Sequence, residues 1–305
     1  MNILHLAARH GRFCLVAGLI GGAALPGLAA VLRPWLPELV ALLLFLTALR
    51  VGPRTAFGSL RDVRQVGAYV CVLQVLAPLS AIAVFSLLGL LSQPFVLAVV
   101  LMLSAPSVTG APNFLIMVGK DPSYAMRILV LGTAMFPVTV IPVLWALPLA
   151  DPVGVIAAAG RLIAVILGAT AVGFAVRHVL WRDLDTNGRS NLDGLSALAL
   201  AVIVVGLMSE IGPLLRSAPM ILLSWALAVM VLNFGLQLFT FAVLKHTQRP
   251  EVPALSIISG NRNIALFLIA LPPEVTGPLL VFIGCYQIPM YLTPLVLRRF
   301  YASSG

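Results

Sequence analysis

The sequence predicts an all-α membrane protein with ten transmembrane helices in two inverted five-helix repeats, the fourth and ninth helices being discontinuous. Three observations carry this. The chain is 61% hydrophobic and only 10% charged over 305 residues, where a soluble domain has about 45–50% apolar and about 25% charged residues. Its apolar residues fall into ten separable spans. Two of those spans are interrupted by polar residues, each the fourth of its half. An unpaired backbone amide in lipid costs several kcal/mol, so an interrupted helix persists only where protein or a water-filled cavity satisfies it.

Taken in order, Arg9 and Arg12 precede a first span at 13–32. A basic start, an apolar run and small residues imitate a secretory signal, but nine spans follow, and the first helix is expected to be retained. The second span, 34–50, is short and the third, 66–91, is long and contains Gln74 and Pro78. The fourth, 94–119, breaks at Ser104-Ala105-Pro106-Ser107-Val108-Thr109-Gly110-Ala111-Pro112-Asn113. The fifth is 124–149, with Pro137 and Pro142; the sixth is 155–178 and the seventh 193–209. The eighth, 219–245, contains Asn233 and Gln237. The ninth, 251–272, breaks at Ser259-Gly260-Asn261-Arg262-Asn263, and the tenth, 276–297, contains Gln287 and Pro289. Each run approaches the roughly 20 apolar residues a transmembrane helix needs. The reading is one domain over 1–305, with repeats at 13–149 and 155–297. An odd number of spans per half forces the halves into opposite orientations.

Charge placement tests the count. The N-terminus, the even-to-odd loops and the C-terminus hold fifteen of the nineteen Lys and Arg residues, among them Arg54, Arg61, Arg64, Arg182 and Arg189. The opposite side holds Arg33, Arg161 and Arg216. Both termini are therefore expected in the cytoplasm. The same placement explains the net charge of +9 without nucleic acid. Cys14, Cys71 and Cys285 lie inside apolar spans and form no disulfide or metal framework by spacing. His5, His10, His178 and His246 sit near the cytoplasmic surface, and no nucleophile–base spacing or phosphate loop occurs, so no enzyme chemistry and no cofactor are expected.

Arg262 is the remaining basic residue, alone in the middle of a span. A charge there costs at least ~2.5–3.5 kcal/mol on insertion scales, and a guanidinium cannot shed its proton to escape. All ten acids, Asp62, Asp151 and Asp183 among them, lie at span ends or in loops. Two readings stand side by side: an Arg capped by backbone carbonyls of the broken helices, and a counter-charge for an anionic ligand. Asn113, Asn261 and Asn263 flank the breaks and can cap half-helices or offer donors and a carbonyl to a ligand. Thr109 and Ser107 could add hydroxyls, and Gln74 could bond a ligand or a neighbouring helix. Asn233, Gln237 and Gln287 read as helix–helix packing. Pro112 suits the first turn of a restarting helix, whose amide end favours a negative group. Asn113, Arg262 and Asn263 are expected to meet near the bilayer midplane.

At these residues the chain resembles the bile acid:sodium symporter family, in a divergent bacterial type. Ala105 to Asn113, followed by Gly119-Lys120-Asp121, is similar to that family's fourth-helix motif, Pro-Gly-Gly-Thr-Ala-Ser-Asn, with its basic-Gly-acidic turn. Gln74 before Pro78 is similar to its third-helix Gln, and Ser256-Ile257 with Gly260 to Asn263 to its ninth-helix Glu-Val-Gly-Met-Gln-Asn. The resemblance implies crossing broken helices, a core of helices 3–5 and 8–10, and a panel of helices 1, 2, 6 and 7. It implies substrate between core and panel, and organic-anion transport coupled to sodium. The family's sodium-ligating Glu falls at Ile258, its Gln at Arg262, its fourth-helix Ser at Pro112 and its fifth-helix hydroxyls near Ala125 and Leu129; Asn113 and Gln74 remain. A hard cation wants several oxygen ligands, so Arg262 is expected to substitute for sodium.

The function expected is secondary transport of small organic anions by alternating access, by a monomer in a bacterial inner (plasma) membrane. A passive anion channel and a non-transporting receptor or scaffold are the alternatives. Broken helices around one buried charge favour the transporter, because a pore repeats its polar residues along its length.

Overall fold

Nearly every apolar run becomes helix. The computed structural model describes residues 3–58, 63–148, 152–181 and 185–302, and among these there is no β-sheet. Arg61, Asp62, Leu149, Asp151, Arg182, Asp183 and Gly305 lie outside the described residues. Seven helical spans are long and apolar enough to cross a membrane, and a bent N-terminal pair would make an eighth. Ten spans were expected; the other two are each split into short helices, neither half long enough to cross alone.

The chain begins with α1 (Ile3–Arg9) and α2 (Gly11–Ala24). Here the sequence reading is corrected: the expected span 13–32 ends at Leu25, whose φ −115° and ψ 67° leave the helical region. Pro26 is the cause, since a proline drives the residue before it out of the α conformation. Helix α3 (Pro26–Leu32) then runs through a 3₁₀ turn into α4 (Leu36–Gly58), so the span expected to begin at residue 34 begins at Pro26. Gly52, at φ 71°, and Pro53 kink α4 towards its end; only glycine adopts that φ without strain.

Helices α5 (Val63–Cys71) and α6 (Ala77–Leu87) form one span long and apolar enough to cross a membrane, joined by a π-helical stretch at Val72–Leu76. Helices α7 (Pro94–Ser104) and α8 (Ala111–Met117) are the halves of the first broken span. Gly119, at φ 78°, turns the chain toward α9 (Ser123–Trp145). Asp121 closes that turn: its carboxylate accepts from the Ser123 hydroxyl at 2.7 Å and amide at 3.0 Å, which holds its pKa below the usual carboxylate value. Helices α10 (Pro152–Val179) and α11 (Thr186–Leu207) follow, α11 being N-capped by Asp185, which accepts from the Gly188 amide at 2.7 Å. After α12 (Ile211–Ser217) comes α13 (Pro219–Leu244), whose outer face shows Val231 at 74% and Phe239 at 67% exposure, an apolar surface suited to lipid. The second broken span is α14 (Val252–Gly260), a 3₁₀ turn and α15 (Phe267–Ala270). Short α16 (Pro273–Thr276), then α17 (Leu280–Val296) and α18 (Arg298–Ala302), end the fold.

Helix α11 lies against α2 and α4, and α4 against α10; α13 lies against α14 and α17, and α5 against α9. The antiparallel α4–α11 pair is clamped at both ends, by Arg33 on Glu210 and by Arg50 on Asp193. Their side chains are 35–40% exposed, so each pair contributes about 0–1 kcal/mol and mainly sets register.

Candidate functional site

The two breaks pair with each other. Ser107 and Arg262 face one another in an antiparallel bridge: the Val108 amide donates to the Asn261 carbonyl at 3.0 Å and the Asn263 amide to the Pro106 carbonyl at 2.8 Å. Each interruption thus satisfies amides and carbonyls that the other would leave bare, which answers the cost of non-helical backbone at membrane depth. Tyr286 of α17 locks the second break, accepting from the Arg262 amide at 3.1 Å and donating to the Gly260 carbonyl.

Arg262 is 2% exposed, and its Nη2 donates to the carbonyls of Leu73 at 2.7 Å and Leu103 at 3.0 Å. Both carbonyls are free for a local reason. Leu103 is in the last turn of α7, where carbonyls lack helical donors. In the π stretch the Ala77 amide bonds to the Val72 carbonyl, five residues back. The next amide in that register would serve Leu73, but it belongs to Pro78, which has none. The backbone-capped reading of Arg262 is therefore realised at Nη2. Its Nε, buried, has no hydrogen-bond partner among the described residues. The ion pairs among the described residues involve other groups, and no carboxylate among those residues pairs with the guanidinium.

Gln74 is 1% exposed and committed within the protein, donating to the Gly132 carbonyl at 3.2 Å and accepting from Thr139 Oγ1 at 2.7 Å. Asn261 is equally committed. It follows the C-terminus of α14, where the orphan groups are carbonyls, so it caps by donating, from Nδ2 to the Ile257 carbonyl at 2.7 Å, and not by accepting from amides as an N-cap does. Its Oδ1 accepts from Asn233 Nδ2 and Thr293 Oγ1, both at 3.3 Å. Gln237 bonds Asn233 at 2.7 Å and Thr293 at 3.0 Å, so Asn233 and Gln237 bind α13 to the second break as packing residues. Asn113 lies in the first turn of α8, exposed, and no hydrogen bond among the described residues ties it to Arg262 or Asn263. The helix it sits in is one short piece, so the restarting amide end offers little.

Thr109, Arg262 and Asn263 do come together, around a cavity of about 30 Å³. By volume it holds about two water molecules. One wall is polar: Thr109, Arg262, Asn263, Gln287 and Tyr291. The other is aliphatic: Val40 and Leu43 from α4, with Leu200, Ile203 and Leu207 from α11. The Tyr291 hydroxyl, buried, has no partner among the described residues. The cavity is therefore lined by a fixed positive charge, and two of its lining residues hold a guanidinium N–H and a hydroxyl without a hydrogen-bond partner among the described residues. Sequence reading missed Tyr286, Tyr291 and Thr293. Tyr286 and Thr293 stand seven residues apart, two turns on one helix face, and that polar stripe was the available signal.

No group of three His, Cys, Asp or Glu residues able to hold a metal ion occurs among the described residues. A comparison with protein-family models finds no match, and neither does a comparison with curated proteins.

Proposed function

We propose that this protein is a secondary transporter of small organic anions, built on the same plan as bile acid:sodium symporters. Ten crossings arise when the bent N-terminal pair and the two interrupted spans are counted with the seven longer helices. The fourth span of each half is the broken one, which supports two inverted repeats. The clamped α4–α11 pair forms the panel face, and the paired breaks form the core face, with the cavity between them. Rocking of one face against the other would expose the cavity to each side in turn.

The observation that carries the reading is Arg262: a permanent charge, 2% exposed, lining a cavity, with its Nε unpaired and no carboxylate partner among the described residues. An anion entering there relieves an uncompensated buried charge. Nη2 already holds the two backbone carbonyls of Leu73 and Leu103, oxygens a bound cation would otherwise need. Anion binding then needs no sodium. In proteoliposomes of the full chain, a labelled small anion should show saturable counterflow that is unchanged when sodium is replaced by potassium. Steep dependence on sodium at fixed membrane potential would reject the sodium-free reading, and flux without counterflow would indicate a channel.

The basic-residue bias supports a topology with both termini on the cytoplasmic side, as in a bacterial inner membrane. Reporter fusions at Gly305 and directly after Val155 should report opposite sides. Agreement between the two fusions would overturn the count of five crossings per half.

A further inference from the structure

We propose that the cavity beside Arg262 selects monovalent carboxylates with a short aliphatic tail; this rests on the anion reading above and narrows it. Three features of the cavity carry it. The first is charge. Arg262 is the one charged group in its lining, and the lining facing it is Val40, Leu43, Leu200, Ile203 and Leu207. A ligand with a second negative group would bury it against hydrocarbon with no counter-charge, a penalty that several kcal/mol of effective desolvation makes severe.

The second feature is the arrangement of donors. Arg262 and Tyr291 both line the cavity, and the buried Nε of the one and the buried hydroxyl of the other have no hydrogen-bond partner among the described residues. Thr109 and Asn263 stand on the same polar wall. A carboxylate has two acceptor oxygens and answers both an N–H and an O–H at once. A lone halide answers the charge but leaves the aliphatic wall uncovered.

The third is size. The cavity, about 30 Å³, is filled by a carboxylate group, so a tail enters only as far as the aliphatic wall gives, at the partly buried Leu200. Each methylene so accommodated gains about four-fold in affinity until further movement of the wall costs more than it returns. Val40 is 3% exposed, Ile203 2% and Leu207 1%, so this wall is packed and yields little. Affinity should pass through a maximum at a tail of about two or three carbons and then fall, because overfilling a packed interior is itself destabilising.

The test uses purified full-length protein in detergent at pH 8, with calorimetry and thermal shift against acetate, propionate, butyrate, hexanoate, succinate and chloride. Propionate or butyrate should bind best. Hexanoate should bind at least about ten-fold more weakly, and succinate, as the dianion, about a hundred-fold more weakly. Leu200, only partly buried, can be shortened with little risk to folding. Leu200→Ala should move the optimum toward longer tails. Equal binding of succinate and butyrate, a flat chain-length profile, chloride binding as tightly as butyrate, or an optimum unmoved in Leu200→Ala would each overturn the selectivity while leaving an anion site in place. If no anion binds the native protein, the anion reading itself fails.

Discussion

Replacing Arg262 by Gln should abolish anion binding, with at least a hundred-fold loss of affinity, because the guanidinium is the one charge lining the cavity. A hydrogen bond to a charged partner contributes about 1.5–3 kcal/mol, and the long-range attraction is lost with it. Stability should move less, because two effects oppose each other. The Gln side chain is shorter and leaves at least one of the Leu73 and Leu103 carbonyls unpaired, at a cost of about 1–3 kcal/mol. Against that, an uncompensated charge has been removed from the interior, which contributes about 2.5–3.5 kcal/mol on insertion scales. The expected net is a melting midpoint within a few degrees of native, with binding gone. Arg262→Lys keeps the charge but not the fork, so it should retain weak binding and lose one carbonyl contact. Calorimetry with butyrate and a thermal melt of each variant check this. Native affinity in Arg262→Gln would remove Arg262 from the site.

Gly260→Ala should destabilise the protein by about 1–3 kcal/mol, the range for overpacking a filled interior. A Cβ at Gly260 would sit 2.3 Å from the Asn233 carbonyl oxygen and 2.6 Å from Gln237 Cγ. The oxygen is backbone and cannot rotate away, so α14 would have to move off α13. That shift would strain the bonds that Asn233 Nδ2 and the Tyr286 hydroxyl make to the Gly260 carbonyl, and with them the position of the second break. Gly168→Ala in α10 is the control. Its Cβ would meet nothing within 4 Å, and alanine is the better helix former by about 1 kcal/mol. Denaturation midpoints should therefore fall for the first variant and hold or rise for the second. Equal midpoints would mean that α13 and α14 are not held as closely as the structure has them.

How much of this was legible beforehand depends on the range of the interaction. The breaks at 104–113 and 259–263 were visible because glycine, proline and paired polar residues interrupt apolar runs locally. The special status of Arg262 was visible because a charge in the middle of a span has no local explanation. The end of the first span at Leu25 was missed, although Pro26 was the signal, because the surrounding run stays apolar and hydropathy does not register a lost amide. Asn113 was grouped with Arg262 on its place beside a break, yet it lies exposed in α8, apart from the Arg262 hydrogen bonds. Asn261 and Asn263 are separated by a single residue. One is consumed by the α14 cap and the other lines the cavity.

The sequence by itself determined that the chain is helical and membrane-embedded, where its helices are interrupted and which charge is buried, because these follow from hydropathy, proline and glycine along the chain. Only the tertiary structure decided what the buried charge touches. The acceptors of Arg262 are backbone carbonyls of Leu73 and Leu103, more than 150 residues away in sequence. Any residue type offers a carbonyl, so nothing in the side chains at those positions marks them. What frees them is a π register ahead of Pro78 and the end of α7, and what aims them is the pairing of two breaks across the fold.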